Sequence, residues 1–122
     1  MIFDCGAPVA LLPAMGVTSH MLATVPEFRE YLLGKNALCD ALVELFSAYS
    51  DDHFGWAKEI WDVAAIGYMI NADWVPTVVE PSPRLSMDGC WSRDARRHPV
   101  RIAQFARRND IFRDMYRKLA KG

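Results

Sequence analysis

Along this chain the apolar positions shift from helical spacing to short alternating runs and back to helical spacing. Residues Pro8 to Pro13 form an unbroken apolar run between turn formers. Such a run predicts a strand buried on both faces. Thr24, Val25, Pro26 and Glu27 have the form of a capping box with proline near the first turn. The helix they start runs from Pro26 to Leu33 and stops at Gly34. Asn36 can cap the next helix, from Ala37 to about Ser50, whose Leu38, Leu42, Leu45, Phe46 and Tyr49 keep helical spacing. From Asp51 to Lys58 the period is lost, which predicts a loop. A helix from Glu59 to Asn71 follows, with Ile60, Val63, Ala64, Gly67 and Ile70 on one stripe.

After Trp74 the pattern changes. Val75 to Glu80, Arg84 to Met87 and Val100 to Phe105 are β-branched or alternating, and Pro, Gly, Asp and Ser separate them. Asn109 or Asp110 can cap a last helix that turns Ile111, Phe112, Met115, Tyr116 and Leu119 inward. The elements add up to one α/β domain over residues 1–122 without internal repeats.

Composition narrows the class. At 122 residues, 52% of them hydrophobic, the chain is large enough to bury a core of its own. No apolar run is long enough to cross a bilayer. No basic region precedes the first apolar stretch, so a cytoplasmic protein is the expectation. Cys5, Cys39 and Cys90 are widely spaced and odd in number, which disfavours a disulfide framework or zinc cage. Cys5 and Cys39 read as buried thiols.

Charge is unevenly distributed. From Arg93 to the end there are ten Lys or Arg against three acids, whereas the first 92 residues hold four against twelve. A basic region spanning Arg93 to Lys121 suits nucleic acid. The alternative is that Arg113, Arg117, Lys118 and Lys121 form the solvated face of the last helix.

Candidate chemistry is confined to Trp61 and Asp62, at the head of an otherwise apolar segment. A carboxylate buried there needs a cation or hydrogen-bond donors to meet it. An adjacent indole can hold a flat ligand close to such a cation. The plainer reading makes Asp62 a cap for backbone amides and Trp61 part of the core. His20 reads as a structural histidine and His98 as a solvated one.

Several segments together resemble the nucleoside hydrolases: Val9 to Leu22, Tyr31 to Asp40, Ile60 to Ala65, Val75 to Arg84 and Asp110 to Met115. The resemblance covers nearly the whole chain in the family's order. It implies the C-terminal portion of a nucleoside hydrolase sheet with flanking helices, short strands in the second half and a C-terminal helix. It also implies hydrolysis of the N-glycosidic bond of ribonucleosides through an oxocarbenium-like transition state. Calcium is the cofactor of the intact family site, and the position of Asp62 matches one of its ligands. Members with tryptophan at the position of Trp61 favour purine nucleosides, whereas many that accept pyrimidines carry histidine there.

The sequence departs from the family in lacking its aspartate-rich cluster, since nothing of the form Asp-x-Asp-x-Gly-x-Asp-Asp occurs. No complete catalytic set is therefore expected in this chain, which reads as truncated relative to the family. One carboxylate does not hold calcium against water. The expectation is a chain inactive alone, completed by a homo-oligomer or a separately encoded N-terminal half. The alternatives are a non-catalytic interaction module and nucleic-acid binding through the basic region.

Overall fold

The computed structural model describes residues 2–122. In chain order its regular elements are β1 (Ala10–Leu11), β2 (Leu22–Ala23), α1 (Val25–Leu32), α2 (Ala37–Ser47), β3 (Lys58–Glu59), α3 (Val63–Ile70), β4 (Thr77–Pro81), β5 (Arg84–Leu85), β6 (Trp91–Ser92), β7 (Pro99–Ala103) and α4 (Arg108–Lys121). This is a mixed α/β fold. A three-stranded sheet has the order β1-β7-β4, with β1 parallel and β4 antiparallel to β7. β2 with β3 and β5 with β6 form two small antiparallel ladders.

Local chemistry explains the helix ends. The Thr24 side chain accepts the Glu27 N–H at 3.3 Å and caps α1, with Pro26 in the first turn where its missing N–H is harmless. Only half of a capping box forms, because the Glu27 carboxylate goes to Arg108 instead. Gly34, at φ 73°, takes the left-handed conformation that ends the helix. The Asn36 side chain accepts the Cys39 N–H at 2.9 Å and starts α2.

The core lies where α1, α2 and α4 meet. Phe28 and Phe46 stack with ring centroids 4.1 Å apart, and Tyr116 meets Phe28 edge-on at 5.9 Å. Met21, Leu32, Val75 and Phe112 complete it with side chains fully out of water. α3 joins through Ala64 and Gly67, whose small size lets α4 come close.

Several expectations need correction. The Pro8 to Pro13 run does contain a strand, but β1 is two residues long and only partly covered, because it is an edge strand bonded to β7 alone. α2 buries Cys39, Val43 and Phe46, and leaves Leu38, Leu45 and Tyr49 exposed. Its sequence is apolar on nearly every side, so spacing alone does not choose the phase. Docking does: the Asn36 side-chain amide and the Cys39 thiol both donate to the Leu119 carbonyl, at 2.8 and 3.3 Å. The helix expected from Glu59 starts only at Val63, since β3 and a turn precede α3. α4 has no side-chain cap from Asn109 or Asp110. Cys5 is exposed, with its thiol donating to the Ile2 carbonyl. His98 is half-buried, and its Nε2 is shielded from water.

Candidate functional site

Trp61 and Asp62 occupy the turn between β3 and α3, held from both sides. On one side the Ile60 N–H donates to the Met21 carbonyl at 3.0 Å, extending the β2–β3 pairing by one step. On the other the carbonyls of Ile60, Trp61 and Asp62 accept the N–H groups of Val63, Ala64 and Ala65 at 3.4, 3.1 and 3.0 Å. The antiparallel register makes the chain leave β3 at the His20 end of β2.

Both side chains are accessible. Trp61 retains 40% of its surface, and Asp62 is exposed. The premise of a carboxylate buried in an apolar segment therefore does not hold, and no buried counter-charge is required. Asp62 stands at the N-cap of α3 in helical geometry (φ −68°, ψ −19°), and its side chain makes no capping bond.

A calcium ion takes six to eight oxygen ligands. No group of three or more His, Cys, Asp or Glu side chains that could hold a metal occurs among the described residues. Asp62 alone does not meet calcium's demand, so this donor set does not fit the ion without carboxylates from elsewhere.

Around the carboxyl end of β7 lies a second group of side chains. In open α/β sheets, ligands bind at such strand ends. β1 runs into a wide turn at Ala14–Thr18, where Gly16 takes φ 84°. β7 runs into Phe105, which stacks on the His20 ring at 4.8 Å and 10°. The His20 Nε2–H donates to the Ala106 carbonyl at 2.7 Å. An open depression of about 610 Å³ here is lined by His20, Pro76, Phe105, Arg107 and Asp110 among others. His20 is thus committed to structure. Phe105 and Arg107 were not apparent as rim residues, because their grouping depends on where β7 ends.

These strands and turns, in this order, match a known architecture. A solved structure of an inosine-uridine preferring nucleoside hydrolase from Bacillus anthracis superimposes with a TM-score of 0.71 over 98% of this chain, at 14% sequence identity. The fold is that of part of a nucleoside hydrolase. The chain spans 38% of that structure's length. At this identity the likeness is one of architecture. No protein-family model matches the sequence, and no curated protein matches it significantly.

Several cations of the basic region are held in ion pairs. Arg93 pairs with Glu80, Arg96 with Asp94, Arg97 with Asp4, Arg108 with Glu27 and Lys118 with Asp114. Arg113, Arg117, Lys118 and Lys121 are exposed on α4. No helix among the described residues is long and apolar enough to cross a membrane.

Proposed function

We propose that this chain is one part of a nucleoside hydrolase-like enzyme and acts only when further polypeptide completes its site. In that reading Asp62 supplies one carboxylate to a calcium ion whose other ligands lie on a separate chain. Trp61 supplies the surface on which a purine base stacks. The observation that carries the reading is the near-complete superposition of this chain on part of a nucleoside hydrolase. The exposure of Asp62 and Trp61 at the head of α3 supports it, because both are free to meet a partner and a ligand.

The chemistry is hydrolysis of an N-glycosidic bond, whose transition state carries positive charge on the sugar. Trp61 contributes through the departing base, since stacking on an aromatic side chain is worth about 1–3 kcal/mol per base. Ribose release from inosine in the presence of calcium tests the reading. The purified chain alone is expected to release none. A complex isolated with its completing polypeptide is expected to turn over, and Asp62→Asn to abolish turnover. Hydrolysis by the isolated chain, or a fully active Asp62→Asn complex, overturns it.

A second reading is a non-catalytic module that self-associates. β4 is an edge strand whose outer backbone groups have no ladder partner among the described residues, and Val78 and Val79 on it are exposed. Unpaired edges with apolar side chains favour strand addition from another chain. A sharp dimer boundary in sedimentation, without nucleosidase activity in any complex, would favour this second reading.

A further inference from the structure

Beside the face that α2 buries runs a second apolar face, turned to solvent. Leu38, Leu42, Leu45 and Tyr49 follow one another at steps of four, three and four residues. That is the spacing of the a and d positions in a coiled-coil seam. At about 100° per residue the four fall within about 60° of the helix circumference. Leu38, Leu45 and Tyr49 are 60%, 62% and 59% exposed, and Leu42 is half-buried. Ala48 keeps helical backbone angles (φ −71°, ψ −6°), so Tyr49 continues the row just past the helix end. A single exposed leucine is ordinary. A contiguous apolar row along one helix is the kind of patch that marks an interaction surface.

Charge selects what can cover it. A two-fold axis sets a patch against its own image, so a charged patch meets like charge. Asp40 and Glu44 are the only charged residues of α2, and both lie more than about 120° from the middle of the seam. The solvent face of α4 carries exposed Arg113 and Arg117 and would repel its copy. The α2 seam has no charge to repel. It is also self-complementary: in an antiparallel pair Leu38 meets Tyr49 of the other copy and Leu42 meets Leu45, each layer occurring twice. Ala41 and Ala48 flank the seam with small side chains that let two helices approach. At its end the Lys58 ammonium lies 4.3 Å from the centre of the Tyr49 ring. Fewer than two heptads do not hold free helices together. α2, however, is already folded on its own core through Cys39, Val43 and Phe46, so no cost of helix nucleation opposes pairing.

We propose that the exposed face of α2 is a homodimer interface, in which two copies pair antiparallel about a two-fold axis at the level of Val43 and Glu44. The inference uses no residue of the nucleosidase reading and none of β4, so it stands or falls apart from both readings above.

Sedimentation equilibrium of the full chain between about 10 μM and about 1 mM tests it. A reversible dimer is expected, half-associated within that range. Leu38→Glu and Leu45→Glu should each weaken association about tenfold or more. Both sites are exposed and glutamate is as good a helix former as leucine, so thermal unfolding of the dilute chain should not change. Met69→Glu on α3 and Val79→Glu on β4, also at exposed apolar positions, should leave the dimer intact. Cross-linking reads the direction of pairing in a chain carrying Cys5→Ser and Cys90→Ser. Leu38→Cys with Tyr49→Cys should close a disulfide between copies. Leu38→Cys alone should not, because antiparallel pairing holds the two copies of residue 38 about 16 Å apart along the axis. A chain that stays monomeric to about 1 mM overturns the proposal. So does a dimer indifferent to Leu45→Glu, one lost in Met69→Glu or Val79→Glu, or one trapped by Leu38→Cys alone.

Discussion

Gly67 of α3 lies so close to Ile111 of α4 that a methyl group on it would sit 2.8 Å from Ile111 Cγ1 and 3.0 Å from Cδ1. The contact sets how deeply α3 is seated. Gly67→Ala should gain about 1 kcal/mol of helix propensity. Overpacking costs about 1–3 kcal/mol, so the net effect is expected to be a loss of stability. Ile111→Val in the same chain removes one of the crowded carbons and should recover part of that loss. Thermal or urea unfolding of the two single variants and the double variant checks this. A Gly67→Ala protein more stable than the parent would show that the helices separate freely.

Arg108 ties α4 to both α1 and β2. It bonds Glu27 through two oxygens, donates through Nε to the Leu22 carbonyl at 2.8 Å and lies over the Phe112 ring at 4.1 Å. The Arg108 and Glu27 side chains are 25% and 22% exposed, so water screens the pair only in part. A double-mutant cycle of Glu27→Gln and Arg108→Gln should give a coupling of about 1–2 kcal/mol. A coupling near zero would reduce the pair to an ordinary surface contact.

Asp94 is the carboxylate most displaced from its ordinary acidity. A side-chain hydrogen bond from Arg96, aided by the Arg96 backbone N–H, lowers its pKa from 3.8 to about 2. Arg84 adds attraction from 3.0 Å. A pKa lowered on folding stabilises the charged form, so this contribution is complete above 3.8 and is lost as the pH falls through about 2. Direct NMR titration of the carboxyl should therefore find a low midpoint that rises towards the ordinary value in Arg96→Gln. An ordinary midpoint in the parent protein would remove Asp94 from the account of acid stability.

Local signals in the sequence carried much of the fold. Thr24 and Asn36 mark the starts of α1 and α2 through short-range bonds to Glu27 and Cys39. The stretches Val75 to Glu80 and Val100 to Phe105 overlap β4 and β7, which pair with each other. The inward stripe of α4 is also as its spacing suggests, with Ile111, Phe112 and Tyr116 buried. Long-range contacts were hidden. The face α2 buries depends on the Leu119 carbonyl, eighty residues from Cys39. β1 looked like a central strand because its residues are apolar, and only the strand order reveals it as an edge. For the same reason the stack of His20 on Phe105 and the unsatisfied hydroxyl of Tyr116 had no signature in spacing. Trp61 and Asp62 stood out as a pair in the sequence, but their exposure did not.

That exposure separates two roles for Asp62. If its carboxylate capped α3, Asp62→Ala would cost about 1 kcal/mol, the usual loss for an N-cap residue. The side chain makes no capping bond and is exposed, so the expected loss is instead within about 0.5 kcal/mol. Part of that reflects attraction to the positive end of α3 and should fade with added salt. Urea unfolding of Asp62→Ala at low and high salt measures both quantities. A salt-insensitive loss of about 1 kcal/mol or more would make the carboxylate a structural cap, withdrawing the argument that it stands free for a metal.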